Sequence, residues 1–281
     1  MQFGRYGISV HNHGMFRLDG GSMFGSVPKN LWSRIIEVDK ENCIPLATRS
    51  LLLRDQERVI LIDVGNGDKW NDKLRAIFAI ENTPEQELGF KKSEVTDLIL
   101  THLHFDHAGG ISHYESDGTL MSSYPGAKVY IQSENLKNAR NPSPRERASY
   151  LQENVNILDS VEKVELEGSV EVLPDIWTHR VDGHTRGQQY LEIRGDDKVI
   201  LYPTDLCPTS RHIPLAYSMG FDICTETLLS EKQAFMEYAI EKNAVVMFEH
   251  DPDVEAATIG INDKGQFHAT QKGTLFELLA G

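Results

Sequence analysis

Three histidines and one aspartate fall within six consecutive residues, and this cluster constrains the fold more than any other feature of the sequence. The stretch HLHFDH supplies His102, His104, Asp106 and His107, directly after the apolar run 95–100. Imidazole and carboxylate groups are costly to bury unless they are paired or bind a metal. The cluster is therefore either an ordinary polar turn or one half of a metal site.

Three further candidate ligands lie beyond apolar runs later in the chain. His184 lies in the glycine-flanked turn VDGHTRG, Asp205 follows the run VILYPT, and His250 comes shortly after AVVMF. Residues that follow strands meet at the edge of a sheet, where the scaffold can hold a cluster in place. Nitrogen and oxygen ligands without thiolate suit zinc, and also manganese, iron or cobalt. Because one tetrahedral ion uses only four ligands, we expect two divalent ions, roughly 3.5–4 Å apart, with a carboxylate between them.

The other histidines lack such a context. His11 and His13 also form an HxH pair, but no Asp-His follows them. We predict a structural role for both, and for His113, His179 and His268. A single histidine after a strand is more often a packing or surface residue than a ligand.

Short runs rich in Val, Ile and Leu predict buried strands over 59–62, 95–100, 128–131, 199–202 and 244–248. Between them, helical spacing of apolar residues predicts helices over 69–81 and 231–242, the second with Ser230 as its N-cap. This mixture predicts an α/β protein in which two packed sheets are covered by helices. Since no polar linker divides the chain, we expect a single domain over residues 1–281.

The charge balance limits the range of partners. The chain has 28 basic and 42 acidic residues and a formal net charge of −14. Such a surface repels nucleic acid and anionic membranes, so we expect neither as a partner and expect a small-molecule substrate instead. The three cysteines have no CxxC spacing, no secretory signal is visible, and no apolar run is long enough for a membrane span. We therefore expect a cytoplasmic protein.

At these residues the sequence resembles the metallo-beta-lactamase superfamily. HLHFDH matches the family signature HxHxDH, GHTRGQ matches its GHTxG turn, and LIDVGNG matches its strand-end DxG through Asp63. The resemblance covers nearly the whole chain and implies the αββα four-layer sandwich of the family. It also implies that Asp63 orients ligands from outside the metal coordination sphere. The ligand set it implies is His102, His104 and His184 on one metal, Asp106, His107 and His250 on the second, and Asp205 as the bridge.

Within the superfamily, two segments resemble the branch of N-acyl-homoserine lactonases and methyl parathion hydrolases. These segments are LDGGSMFGSVPKNLW (18–32) and DLCPTSRHIPLAYSMGFD (205–222), and His at position 104 separates the chain from the oxygen-reducing flavodiiron branch, which has Glu there. Lactonases of this kind carry a catalytic tyrosine three residues after the bridging aspartate, where this chain has Pro208. The candidates to replace it are His212 and Tyr217, although a residue in either position is more often structural than catalytic. For Met23 and Phe24, lining of the substrate entrance and simple core packing both remain open.

Together these features predict a hydrolase that uses two divalent metal ions, zinc before manganese, iron or cobalt, on lactone or ester substrates such as N-acyl-homoserine lactones. A metal-bridging hydroxide would attack the carbonyl, and Asp106 would carry a proton from the nucleophile to the leaving group. Three other activities use the same kind of metal site: a glyoxalase II-like thioester hydrolase, a phosphotriesterase and a nuclease. The C-terminal region lacks the basic character that is usual in glyoxalase II-like thioester hydrolases. The negative net charge argues against a nuclease. A non-catalytic module with a decayed site is a further alternative, although all the ligands are present. The segments 138–150 and 18–32 could each serve a homodimer.

Overall fold

Strands and short helices alternate along the whole chain, as the apolar runs predict. The computed structural model describes all of residues 1–281. The strands are β1 Gln2–Phe3, β2 Tyr6–Asp19, β3 Cys43–Arg54, β4 Val59–Ile62, β5 Glu81–Asn82, β6 Asp97–Ile99, β7 Ser112–Tyr114, β8 Leu120–Ser122, β9 Lys128–Gln132, β10 Lys163–Leu166, β11 Val170–Leu173, β12 Ile176–Val181, β13 Gln188–Arg194, β14 Val199–Tyr202, β15 Val245–Met247, β16 Ala256–Ile261 and β17 Phe267–Gly273. The α-helices are α1 Gly20–Phe24, α2 Lys29–Trp32, α3 Asp72–Phe78, α4 Phe105–Ala108, α5 Ser133–Arg140, α6 Gln152–Asn156, α7 Thr225–Glu241 and α8 Leu275–Ala280.

These elements form two units. Unit 1 comprises residues 1–16 and 48–168, and unit 2 comprises residues 17–47 and 169–281. The division falls inside the strands β2 and β3. A single domain over residues 1–281 stays a prediction.

In unit 1, parallel pairing places Asp63 and the histidine-rich turn at the same edge of a sheet. The strands β4, β6, β9 and β10 pair in this order, all in parallel, and Ile62 is in register with Ile99. Carboxyl ends of parallel neighbours lie at one edge, so the residue after β4 and the residues after β6 come together. The apolar side chains of these strands are buried in a core that also takes in Leu136 and Leu158.

In unit 2, strand directions place the later candidate ligands at one edge of the second sheet. The second sheet has the order β11-β12-β13-β14-β15-β16-β17, and the pair β14–β15 is parallel, with Ile200 opposite Val245. Asp205 follows β14 and His250 follows β15, so both lie at the carboxyl edge of this pair. The strand β13 is antiparallel to β14, so its start, which the His184 turn precedes, lies at that edge too.

The observed bounds correct some of the predicted ones. The strand predicted over 95–100 is the shorter β6, and the helix predicted over 69–81 is α3, Asp72–Phe78, with the Asn71 side chain as its N-cap. The helix predicted over 231–242 begins earlier, at Thr225. Ser230 is not its N-cap: the Ser230 hydroxyl donates to the Glu226 carbonyl inside the helix. The helix starts where the Cys224 amide bonds to the Gly183 carbonyl, a long-range contact that has no local sequence signal.

No helix combines the length and the apolar character needed to cross a membrane.

Close backbone packing holds the segment that follows the histidine-rich turn. A Cβ atom at Gly109 would lie 2.1 Å from the carbonyl oxygen of Asn66, and one at Gly67 would lie 2.1 Å from the carbonyl oxygen of Gly109. Glycine at both positions lets the two backbones touch. The Lys69 ammonium group adds hydrogen bonds of 2.5 Å to the Gly109 carbonyl and 2.6 Å to the Ser112 carbonyl.

This packing predicts that Gly109→Ala destabilises the protein. The added methyl group would force the Asn66 backbone to move, so we expect the free energy of unfolding to fall by about 1–3 kcal/mol. The matched control is Gly126→Ala, because a Cβ atom there meets nothing within 4 Å. Chemical denaturation of both variants measures the difference, and equal unfolding free energies would show that the contact between the two backbones does not constrain the fold.

Candidate metal centre

The four candidate ligands of unit 1 lie on one turn and the short helix that follows it. His104 precedes α4 as its N-cap residue, and Asp106 and His107 lie within the helix. All four ligand side chains are buried. The imidazoles of His102 and His104 each offer a nitrogen within 4.8 Å of the other, and Asp106 and His107 form a second such pair. The turn therefore presents two separate pairs of ligand atoms.

Hydrogen bonds on both sides fix the course of this turn. The Asn135 side-chain oxygen accepts from the Leu103 amide at 2.9 Å, between the first two histidines. The His104 carbonyl accepts from the amides of His107 and Ala108 at 3.2 and 2.9 Å, which starts the helix. The His107 carbonyl in turn accepts from the Val64 amide at 2.8 Å. Hydrogen bonds to the Asn135 side chain and to the Val64 amide thus hold the backbone that carries the HxHxDH side chains.

Asp63 connects the end of β4 to this turn. Its carboxylate accepts from the Thr101 amide at 2.8 Å and from the Thr101 hydroxyl at 2.6 Å, and it lies 3.1 Å from Nδ1 of His107. The Thr101 hydroxyl is also 3.2 Å from Nδ1 of His102. Asp63 is fully buried and has a φ of 58°, a backbone conformation rare for a residue other than glycine. With Nδ1 held in this way, Nε2 is the nitrogen that each imidazole can offer to a metal.

In unit 2, Asp205 faces two imidazoles with its two oxygens. Oδ2 lies 3.1 Å from Nε2 of His184, and Oδ1 lies 3.4 Å from Nε2 of His250. The other nitrogen of each ring is anchored: Nδ1 of His184 lies 2.9 Å from Asp222, and Nδ1 of His250 lies 2.7 Å from the Ala47 carbonyl. A carboxylate with one oxygen beside each of two imidazoles is the arrangement that a bridging ligand between two metal ions requires.

The protonation of His184 reflects this surrounding charge. Burial acts to lower its pKa, but the carboxylates of Asp205 and Asp222 outweigh burial and raise the pKa to about 10. Without a metal, this imidazole is therefore a cation at neutral pH. A metal ion must displace that proton, because only the neutral ring can be a ligand.

Asp222 is a site residue that the sequence did not predict. Its carboxylate is buried, contacts Nδ1 of His184 and accepts from the Met219 amide at 2.7 Å. Two backbone hydrogen bonds, Ile223 N to His184 O at 3.1 Å and Cys224 N to Gly183 O at 2.9 Å, bring its segment alongside the His184 turn. Nothing in the spacing of Asp222 from the other ligands signals this contact.

The predicted substrate-pocket residues of unit 2 form a buried stack. The Phe24 ring stacks on Trp32 and on His212, with ring centroids 5.4 and 4.8 Å apart, and meets Tyr217 edge-on. Met23 and Phe24 are 2% and 0% exposed. In this conformation they belong to the core of unit 2, and a role in lining the substrate entrance stays a prediction.

The two candidates for replacing the lactonase tyrosine differ in their hydrogen bonds. Nδ1 of His212 lies 2.7 Å from the Thr209 hydroxyl and Nε2 lies 2.9 Å from the Met23 carbonyl, while burial lowers its pKa to about 4. Both ring nitrogens are thus already engaged in holding α1 against the 209–212 turn. The Tyr217 side chain is half-buried, and its hydroxyl group makes no hydrogen bond. Pro208, which stands at the position of the lactonase tyrosine, bonds through its backbone: its carbonyl accepts from the His250 amide at 3.2 Å.

The remaining histidines, predicted to be structural, lie apart from these ligand sets. His179 contacts the Glu192 carboxylate at 2.7 Å, His268 contacts the Gly260 carbonyl at 3.2 Å, and His11 contacts the Ser9 hydroxyl at 2.7 Å. His113 contacts Ser123 at 3.1 Å. For His13, burial lowers the pKa to about 3, so that this imidazole is neutral.

A family model described as the metallo-beta-lactamase superfamily matches residues 43–217, which include six of the seven predicted ligands. The chain belongs to the metallo-beta-lactamase superfamily. The resemblance seen in the sequence motifs is thereby confirmed, and the chain is a metal-dependent hydrolase.

Relatives of known sequence and structure agree with this assignment. An N-acyl homoserine lactonase of Bacillus cereus is 27% identical over 234 residues, which is 76% of this chain and 85% of that protein. A probable metal-dependent hydrolase from Staphylococcus aureus has a TM-score of 0.86 at 23% identity and covers 97% of this chain and 98% of its own. AidC, a dizinc quorum-quenching lactonase in complex with a product, has a TM-score of 0.79 at 18% identity and covers 98% of this chain and 97% of its own. The predicted fold, that of the metallo-beta-lactamase superfamily, is confirmed.

The contact between His184 and Asp222 predicts a loss of metal affinity in Asp222→Asn. The amide keeps the shape of the side chain but removes the charge that orients and polarises the imidazole, so we expect a metal dissociation constant roughly 10–100 times larger. Competition with a chromogenic chelator measures it. The matched control is Asp182→Asn in the same turn, because the Asp182 carboxylate bonds to Arg180 and the Gly187 amide and to no imidazole. Equal affinities of the Asp222 variant and the unmodified protein would rule out this role.

Proposed function

We propose that this protein is a dinuclear metal hydrolase of lactones and esters, with N-acyl homoserine lactones as the leading substrate class. The observation that carries the proposal is the position of Asp205, one oxygen beside His184 and the other beside His250. The substrate class is supported by a relative from Bacillus cereus that is named an N-acyl homoserine lactonase. Cleavage of such lactones would make the protein a quorum-quenching enzyme.

The ligand set that the family resemblance implies would hold two ions. His102, His104 and His184 would bind one ion, Asp106, His107 and His250 the other, and Asp205 both. Two observations support the fit: each set consists of buried nitrogen and carboxylate ligands, and His102, His107, His184 and His250 are each anchored through Nδ1. This donor chemistry favours zinc, which the dizinc lactonase AidC contains.

Divalent ions in such a site would lower the pKa of a bound water molecule and polarise the carbonyl oxygen of the substrate. The protein must supply a group that takes up a proton and returns it. Asp106 suits this role, because it is the most exposed of the four unit 1 ligands at 8% and its Oδ1 lies 3.8 Å from Nε2 of His107. We propose that the Asp106 carboxylate accepts the proton of the attacking water and donates it to the leaving alkoxide.

The protein lacks the lactonase tyrosine, so another group must assist the substrate carbonyl if assistance is needed. His212 is unsuited to this task, since both of its nitrogens hold other groups and its pKa is about 4. Tyr217 keeps a hydroxyl that makes no hydrogen bond. Of the two candidates, we therefore propose Tyr217 as the donor to the substrate.

A substrate panel tests the proposed class. The metal-loaded protein is assayed with N-hexanoyl homoserine lactone, a simple lactone, 4-nitrophenyl acetate, paraoxon and S-lactoylglutathione. We expect the largest kcat/KM for the lactones. A larger value for the thioester would favour the glyoxalase II-like alternative, and a larger value for paraoxon would favour a phosphotriesterase.

The proton-transfer role predicts that Asp106→Asn lowers kcat by about 100-fold or more on every substrate that the protein cleaves. Metal content has to be measured on the same samples, because Asp106 is also a proposed ligand. The control is Asp117→Asn, a change of the same kind at an exposed turn in the same unit. If the Asp106 variant kept its metals and its full kcat, the proposed proton transfer would be wrong.

A further inference from the structure

Gln188 is a buried residue of unit 2 that contacts the turn of Asp205. It is the first residue of β13, it follows the His184 turn, and it is 0% exposed. Its amide oxygen accepts three hydrogen bonds, from the Thr204 hydroxyl at 2.6 Å and from the Asp205 and Leu206 amides at 3.1 Å each. The oxygen occupies this place rather than the nitrogen, because an amide nitrogen beside two backbone N–H groups could accept from neither. Three donors of one turn therefore converge on a single acceptor.

Thr204 has a backbone conformation that needs such support. Its φ is 50°, in the left-handed region, where a β-branched residue is a clear outlier. A residue stays in a sparsely populated conformation only where the contacts around it outweigh the ordinary alternatives. A return of Thr204 to a negative φ would rotate the peptide that joins it to Asp205 and would move the carboxylate as well. The three bonds to Gln188 oppose that rotation.

Gln188 also connects this turn to the turn of His184. The backbone amide of Gln188 donates to the Thr185 carbonyl at 3.2 Å, directly after His184. The backbone of Gln188 is thus bonded to the segment of one candidate ligand, and its side chain is bonded to the segment of another. Because Nε2 of His184 and Oδ2 of Asp205 lie only 3.1 Å apart, a residue bonded to both segments fixes the distance between these two ligand atoms.

A carboxylate that must present one oxygen to each of two ions tolerates little rotation. Binding groups have to be held close to their productive geometry by residues that are themselves fixed by packing and hydrogen bonds. The Gln188 side chain meets this condition, because it is fully buried and its oxygen is bonded on three sides. An apolar side chain at position 188 would fill the same space but would leave the Thr204 hydroxyl without this acceptor in buried surroundings.

We propose that Gln188 is a positioning residue for Asp205, which holds the 204–206 turn so that one carboxylate oxygen lies beside His184 and the other beside His250. The inference rests on the bridging role proposed for Asp205. Gln188 acts through this carboxylate and is not itself proposed as a ligand.

The test follows the metal site of the full-length protein loaded with Mn²⁺. Gln188→Leu removes the acceptor with little change in size, and we expect the dissociation constant of the metal ions to become roughly 10–100 times larger. The electron paramagnetic resonance signal of a coupled manganese pair should weaken accordingly. In the metal-free protein, hydrogen exchange of the Asp205 amide should become roughly tenfold faster, because this amide loses its bond to Gln188.

The matched control is Gln132→Leu in unit 1. Gln132 is also 0% exposed, and its side chain bonds to the amide and the carbonyl of Gly168 at 3.1 and 2.8 Å. This variant loses the same kind of buried amide but no bond to the turn of Asp205, so its metal affinity should equal that of the unmodified protein.

The outcomes separate this inference from the proposed function. If the unmodified protein holds a coupled pair, an unchanged affinity in Gln188→Leu, or equal losses in Gln188→Leu and Gln132→Leu, would overturn the inference alone. A single ion, or two uncoupled ions, in the unmodified protein would overturn the proposed function, and the role of Gln188 with it.

A second pair of variants decides the question if Gln188→Leu does not fold. Thr204→Val keeps the shape of the side chain but removes the hydroxyl donor, whereas Thr204→Ser keeps the donor. We expect metal binding to be roughly three- to tenfold weaker in Thr204→Val, because one of the three bonds to Gln188 is lost, and unchanged in Thr204→Ser. Identical metal affinities of these two variants would overturn the inference.

Discussion

Four of the candidate metal-binding imidazoles are anchored through Nδ1, and the proposed chemistry depends on this. The anchors are Thr101 for His102, Asp63 for His107, Asp222 for His184 and the Ala47 carbonyl for His250. Each anchor fixes the orientation of a ring and leaves Nε2 as the ligand atom. Because the rings are oriented before any metal arrives, binding does not have to order them. The two carboxylate anchors, Asp63 and Asp222, also make their imidazoles better ligands.

Strand direction explains how, within each unit, candidate ligands that are far apart in sequence come to lie at one edge of a sheet. In unit 1, parallel pairing of β4 and β6 brings Asp63 to the histidine-rich turn. In unit 2, parallel pairing of β14 and β15 brings the segments of Asp205 and His250 to one edge, and antiparallel pairing of β13 with β14 adds the His184 turn. The polar side chains that follow these strands are buried as well, and the hydrogen bonds of their imidazoles offset part of the cost of that burial.

The sequence predicted the candidate ligands from residue types and spacing, because these limit what HxHxDH after a strand can be, and their role as ligands stays a prediction. It predicted the strands over 59–62 and 199–202 with the bounds that the structure has, because a short apolar run ended by polar residues fixes where a strand begins and ends. It missed Asp222 and the true start of α7, both of which depend on the pairing of residues 223 and 224 with the His184 turn. Contacts between distant segments are what sequence patterns do not encode.

The role proposed for Asp205 is to join two metal ions in one site. Substitution with Mn²⁺ followed by electron paramagnetic resonance tests this claim directly, because two manganese ions that share a carboxylate are magnetically coupled. We expect two ions per chain and the spectrum of a coupled pair, which Asp205→Ala abolishes. One ion per chain, or two ions with the spectrum of isolated manganese, would contradict it.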